Sequence, residues 1–111
     1  MAITSVAVPV FDRPLDLARA GGRLITLEQR IVIVEGNYLL LDRTPWRDLR
    51  PLFDWTLFID VDDDVLVERL INRWLEMGQD RAGALERTHH KDMLNAQLVK
   101  RCCLTPDQRW R

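Results

Sequence analysis

Two apolar runs without alternation constrain this chain more than any other feature. IVIVE at 31 to 35 and WTLFIDV at 55 to 61 lack the apolar–polar alternation of a half-wet strand, and unbroken runs of this length are the pattern of strands buried on both faces of a parallel sheet. The first stops at Gly36 and the second at a cluster of acids. Between them, Thr44-Pro45 reads as an N-cap followed by proline at the first helical position, opening a short helix that closes near Pro51. Strand, short helix, strand is a crossover unit, and such units are right-handed. The expected class is therefore α/β, with a short parallel sheet whose strands carry Glu35 and the acids of 60 to 64 to one shared edge.

After Asp62, an N-cap candidate with acids in the following turn, Leu66, Val67, Leu70, Ile71, Trp74 and Leu75 recur at helical spacing until Gly78. The pattern predicts a helix over 63–77 with Trp74 largely buried. Asp80 is placed to cap another helix carrying Leu85, Met93, Leu94, Leu98 and Val99, although Gly83 near its start opposes it. Residues 1 to 30 keep no steady period. FDRP at 11 to 14 and GG at 21 to 22 are turn signals around a short helical stretch at Leu15 to Arg19, so the segment reads as connecting structure.

Composition narrows the function classes. With 111 residues, 47% of them apolar, the chain supports one modest core and reads as a single domain over 1–111. Its formal charge of −1 supplies no basic field, so nucleic acid is not an expected partner. The longest apolar stretches fall far short of the roughly 20 residues that span a bilayer, so no membrane role is expected. The first basic residue, Arg13, follows the apolar stretch at 6 to 11, the wrong order for a secretory signal. Cys102 and Cys103 are neighbours and form no disulfide framework. Together these features predict a cytoplasmic protein with free thiols.

Several residues stand in patterns that chemistry can use. Glu35 ends a run read as a buried parallel strand, and ligands of open α/β sheets bind outside the carboxyl ends of strands. A carboxylate there can hold a metal ion or orient a nucleophile, or it can simply meet solvent. Arg69 and Arg73 lie at i, i+4 on the predicted helix, beside the apolar stripe. An oxyanion would relieve their repulsion; so would Asp64, Glu68 or Glu76 on a solvated face. Of the 16 basic residues only Lys91 and Lys100 are lysine, an imbalance that either codon bias or a demand for planar phosphate clamps could produce. Asp12 and Arg13 sit on a loop stiffened by Pro14, able to grip a polyol or phosphate or to pair with each other. Asp60, Asp62, Asp63 and Asp64 do not make a calcium loop, because Val65 stands where that loop needs glycine. His89, His90, Cys102 and Cys103 do not match a structural zinc spacing.

Taken together, IVIVEGNYLLL, the short Trp-containing helix, FDWTLFIDVDDDVLVERLINRWLEMG and the helix ending NAQLV resemble the later half of P-loop kinases of the phosphoribulokinase and uridine kinase type, with a particular likeness to the bacterial nucleoside or nucleotide kinase-like, fructose-transport-associated branch. The resemblance runs from about Val8 to Val99. It implies that Glu35 lies at a Walker-B-like strand end near Mg2+, that Arg69 and Arg73 belong to the helix leading into a lid over the ATP phosphates, and that Arg81 sits in that lid. It further implies that Asp12 and Arg13 adjoin the acceptor substrate, with Asn37 and Tyr38 following the same site.

The departures from that pattern are specific. Such kinases carry a glycine-rich loop ending in Gly-Lys-Ser/Thr, whose N–H groups and lysine hold the phosphates. No Gly-Lys pair occurs among the 111 residues. The family's first strand–helix pair and its early acid are absent as well, and KRCCLTPDQRWR lacks the apolar closing strand. The reading is a partial P-loop NTPase fold lacking the phosphate-loop half: the C-terminal half of an ATP-dependent small-molecule kinase, inactive alone. On that reading Mg2+ and ATP belong to the full-length family and neither is bound by this chain by itself. A P-loop-bearing N-terminal half, or a homo-oligomer, is the expected partner. The alternative is a non-catalytic interaction module.

Overall fold

The computed structural model describes residues 4–111, which fall into two compact units, one ending at Val34 and one spanning Glu35–Arg111. The first is an antiparallel hairpin of β1 (Ser5–Asp12) and β2 (Leu17–Thr26). This replaces the connecting segment and the short helix expected at Leu15–Arg19. The strands were obscured because their pairing is broken: Val8 pairs with Arg23 but Val10 with Arg19, so residues 20, 21 and 22 bulge opposite Pro9. Proline is tolerated there because a bulge asks no ladder hydrogen bond of it. Gly21 takes φ +65°, and a Cβ on Gly22 would fall 2.5 Å from Val10 Cγ2, so the bulge requires both glycines. At the hairpin tip, Asp12 Oδ1 accepts the Leu15 N–H at 3.1 Å and Arg13 O accepts the Asp16 N–H at 3.2 Å. FDRP is thus a turn joining two strands.

Residues 31–35 form no strand in the structure, contrary to the sequence reading. Ile31, Val32, Ile33 and Val34 are 82%, 54%, 89% and 57% exposed. The physical reason is that an interior parallel strand forms only when neighbours take its N–H and C=O groups on both sides, and none of the described residues does so.

The second unit holds the parallel sheet, with a different membership from the one expected. β3 (Leu57–Ile59), inside the anticipated 55–61 run, pairs with β4 (Gln108–Trp110) in parallel register, Phe58 opposite Arg109. The C-terminal segment therefore does contain a strand. Its three residues are two parts polar and all exposed, which is why apolar patterning missed it. Upstream, Leu41 bridges antiparallel to Cys103, with Leu104 N–H donating to Leu40 O at 2.7 Å and Asp42 N–H to Cys102 O at 2.6 Å. Leu40 and Leu41 are buried by this pairing.

The short crossover helix is a 3-10 helix, Trp46–Leu52, preceded by a cis Thr44-Pro45 bond. Pro45 occupies the N-cap and no side chain caps it, so Thr44 does not act as the expected cap. Helix α1 (Asp63–Glu76) agrees with the predicted 63–77. Its end is a Schellman motif: Gly78 at φ +94°, Gly78 N–H to Leu75 O at 3.1 Å and Gln79 N–H to Trp74 O at 3.0 Å. Helix α2 (Arg81–Arg87) begins at Asp80, whose Oδ1 accepts the Gly83 N–H at 2.8 Å. Gly83 serves this cap, since a Cβ there would lie 2.9 Å from that same oxygen. A π turn (Thr88–Asp92) then leads into α3 (Met93–Arg101). Ala84, Thr88 and Met93 are buried along this helical run. Trp74 is half-buried, its indole N–H donating to Asp92 Oδ2 at 2.7 Å.

Candidate active site at the carboxyl edge of the parallel sheet

Because β3 and β4 run in the same direction, their carboxyl ends share an edge, where Asp60–Asp63 leave one strand and Arg111 leaves the other. This is the side on which α/β sheets bind ligands. The acids there are compensated by cations from the far end of the sequence. Lys100 Nζ donates to Val61 O at 2.6 Å and Asp63 Oδ1 at 2.7 Å and lies 3.8 Å from Asp60 Oδ1. Arg109 reaches Asp60 at 3.5 Å while stacking 4.6 Å above the Phe58 ring, and Arg111 reaches Asp62 at 3.3 Å. Asp62 therefore spends its carboxylate on Arg111 and makes no side-chain cap to α1.

Arg69 lines a depression of about 250 Å³ at this edge, together with Asp60, Val61, Asp62, Val65 and Arg111. Arg73 follows one turn further along α1. Among the described residues neither arginine makes an ion pair, so the neutralising contacts available from Asp64, Glu68 and Glu76 are not made. Two exposed guanidinium groups stacked on one helix beside a strand end can receive an oxyanion. Arg81, the first residue of α2, is exposed and likewise unpaired among the described residues.

The other candidates are placed separately. Glu35 and Asn37 are exposed and in no strand, and the 31–35 pairing meant to carry Glu35 to the acidic edge does not form among the described residues. Tyr38 is half-buried, its ring centroid 5.4 Å from that of Trp46. In the hairpin unit, Asp12 is committed to its own turn and lies 3.8 Å from Arg19, while Arg13 stacks 5.0 Å over Phe11. They do not pair with each other. Sequence reasoning missed Lys100, Arg109 and Arg111, whose acidic partners lie 37 to 49 positions away; the one signal was lysine at 100 in a chain that otherwise uses arginine.

The chain is similar to known proteins along nearly its whole length. No family model matches the chain. It is 35% identical over 115 residues to the ATP-dependent kinase YFH7 of Lachancea thermotolerans, a match covering 96% of this chain and 33% of the relative. Several of the proteins it resembles are named kinases. A provisionally assigned uridine kinase of Schizosaccharomyces pombe, C227.14, is 35% identical over 101 residues, covering 89% of the chain and 43% of that protein. The crystal structure of a provisionally assigned fructose transport system kinase from Silicibacter sp. TM1040 superposes with a TM-score of 0.91 at 37% identity, over 97% of this chain and 52% of that one. Saccharomyces cerevisiae YFH7, described as a provisional P-loop kinase with a circular permutation, gives 0.78 at 28% identity, over 96% and 34%. The chain thus spans about a third to a half of the length of these relatives. No helix among its described residues is long and apolar enough to cross a membrane.

Proposed function

We propose that the chain forms the lid and acceptor side of an ATP-dependent kinase that phosphorylates a hydroxyl group of a small metabolite, a nucleoside or sugar. The observation that carries this reading is the Arg69–Arg73 couple, without an ion-pair partner among the described residues, on the helix directly after a parallel strand end, in a chain whose homologues include proteins named ATP-dependent kinase and uridine kinase. Phosphoryl transfer needs little covalent help from protein; it is accelerated by positioning and by charge placed on the transferring group. In this role Arg69 and Arg73 hold the phosphate oxygens, Arg81 closes from the start of α2, and Asn37 and Tyr38 orient the acceptor; Asp12 and Arg13 of the hairpin unit are assigned to the acceptor by the resemblance alone.

The described residues contain no group of three or more His, Cys, Asp or Glu side chains able to hold a metal ion. Mg2+ is ordinarily held by one or two carboxylates plus substrate phosphates, and the exposed Glu35 carboxylate, in no ion pair among the described residues, is an oxygen donor of that kind. Glu35 would supply that carboxylate, and the ion would neutralise charge on the phosphate oxygens.

The phosphate loop comes, in this proposal, from residues outside these 111, because no Gly-Lys pair occurs within them. The exposed run Ile31–Val34 is where that part of the fold pairs with this one. Calorimetry tests the reading. The chain alone should show no micromolar affinity for Mg-ATP, and mixing it with a polypeptide bearing the Gly-Lys-Ser/Thr half of a relative should create ATP-dependent phosphorylation of a nucleoside or sugar. Tight Mg-ATP binding by the chain alone, or a mixture that forms a complex without transferring phosphate, would overturn it; the latter outcome supports an interaction module.

A further inference from the structure

The trough along α2 and the π turn has no part in that reading. It is an open depression of about 390 Å³ lined by Gln79, Gly83, Glu86, Arg87, His90 and Lys91. It shares no residue with the sheet-edge depression or with the arginines assigned to phosphoryl transfer.

We propose that this trough binds a small phosphorylated compound that also carries free hydroxyl groups. Arg87 and Lys91 stand one helical turn apart, with His90 beside them, and none of the three makes an ion pair among the described residues. By contrast Lys100, Arg109 and Arg111 each meet a carboxylate. Arg87 is held in advance of any ligand: its guanidinium lies 4.8 Å over the Trp74 ring, and Trp74 is fixed by its 2.7 Å bond to Asp92, itself in the π turn. A guanidinium fixed by stacking loses less freedom on meeting a phosphate than a free one.

The local backbone sets the lining. Thr88–Asp92 is a turn of π rather than α geometry, with Thr88 buried behind it and not lining the trough. π turns recur at functional positions. Here the π turn carries His90 and Lys91 to the trough.

The remaining lining selects the rest of the ligand. The Glu86 carboxylate disfavours a bare anion and accepts hydrogen bonds from hydroxyls, and the Gln79 carboxamide can donate or accept. A Cβ on Gly83 would come 2.8 Å from Gln79 Oε1, so glycine keeps the floor open. Phosphate on the Arg87–Lys91 side and hydroxyls toward Glu86 describe a sugar phosphate or similar compound.

The test is a titration of the 15N-labelled chain with ribose 5-phosphate, followed by amide and arginine Nε–Hε shifts at constant ionic strength, with inorganic phosphate and ribose as the half-ligands. Saturable shifts confined to residues 79–92 are expected, weaker with inorganic phosphate and absent with ribose. Lys91→Gln and Arg87→Gln should each lower affinity about tenfold. Glu86→Gln should weaken ribose 5-phosphate and spare inorganic phosphate. Lys91 is fully on the surface side of the turn, so its variant keeps the fold even if Arg87→Gln loosens Trp74. Shifts reproduced by chloride, shifts centred on Arg69 and Arg73, equal binding of phosphate and ribose 5-phosphate, or an unchanged Lys91→Gln titration would each refute the site.

Discussion

Asp107 closes on Thr56 across 51 positions of sequence: its Oδ2 accepts the Thr56 N–H at 2.8 Å and the Thr56 hydroxyl at 3.0 Å, and the same hydroxyl accepts the Asp107 N–H at 3.0 Å. The next residue continues the connection, with Gln108 N–H donating to Thr56 O at 3.1 Å. This clasp sets the register of β4 on β3, and with it the place of Arg109 and Arg111 at the acidic edge.

The clasp makes stability depend on acid. The Thr56 backbone N–H first, then its hydroxyl, with Arg50 adding its charge at 3.5 Å, hold the Asp107 carboxyl below the usual carboxylate range. A carboxyl whose folded pKa lies below its unfolded value of about 3.9 adds stability above that value, and loses it as pH falls through the lower folded one. Asp107→Asn should therefore lower the urea midpoint at pH 7, and the gap from the parent chain should narrow as pH falls from about 5 to about 2. A gap independent of pH would mean that the carboxylate charge contributes nothing to the clasp.

Lys100 should tolerate neither loss nor exchange. Its ammonium converges on Val61 O at 2.6 Å, Asp63 at 2.7 Å and Asp60 at 3.8 Å with its side chain only 27% exposed. A compact group with three donors suits three oxygens; a planar guanidinium fork does not. Lys100→Met should cost about 1 to 2 kcal/mol, around the lower end of the roughly 1.5 to 3 kcal/mol of hydrogen bonds to charged groups, because the site is partly wet. Lys100→Arg should recover less than half of that loss. Urea unfolding of the three chains decides it, and full recovery by arginine would reduce Lys100 to a simple counter-charge.

Cys103 should be a slow thiol. Burial pushes it above its ordinary value, more than the Arg109 charge draws it down, and its Sγ is placed 3.0 Å from Leu104 O. Only the thiolate is alkylated efficiently. At pH 8, peptide mapping after iodoacetamide should find Cys103 modified more slowly in the folded chain than in urea, with equal rates refuting the burial effect.

Legibility in the sequence followed the range of the interactions. Helix α1 could be read to within one residue because its acids, its apolar spacing and Gly78 all act within a few positions. The i, i+4 placement of Arg69 and Arg73 was legible for the same reason. Ile31–Val34 were overread, since β-branched composition reports that a segment suits a sheet but not whether a neighbour is there to pair with it. The hairpin was hidden by Pro9 and the Gly21–Gly22 bulge, which break alternation on both strands at once. β4 and the cations of the acidic edge were hidden because their partners are distant; Arg109 and Asp60 lie 49 positions apart, and no local pattern encodes such a pairing.

The sharpest consequence of the kinase reading concerns the choice of arginine. Arg47 and Arg50 lie on the 3-10 helix, but Arg50 contacts Asp107 and thereby the clasp, so it is not a neutral control. Arg47 pairs with Asp42 at 3.3 Å, both side chains 51% exposed, and such a surface pair is worth only about 0 to 1 kcal/mol. Arg73, in no ion pair among the described residues, is assigned under the proposed function to the charge that develops on the transferring phosphoryl group, where the loss of one well-placed group costs about 100-fold or more in rate. In the reconstituted kinase, Arg73→Ala and Arg69→Ala should each lower phosphate transfer about 100-fold, while Arg47→Ala should leave it within about twofold, consistent with surface changes of less than about 0.5 kcal/mol. The loss should fall on kcat more than on KM for the acceptor, because the interaction strengthens in the transition state. Equal effects of Arg73→Ala and Arg47→Ala would return the arginine excess to codon usage and remove α1 from the chemistry.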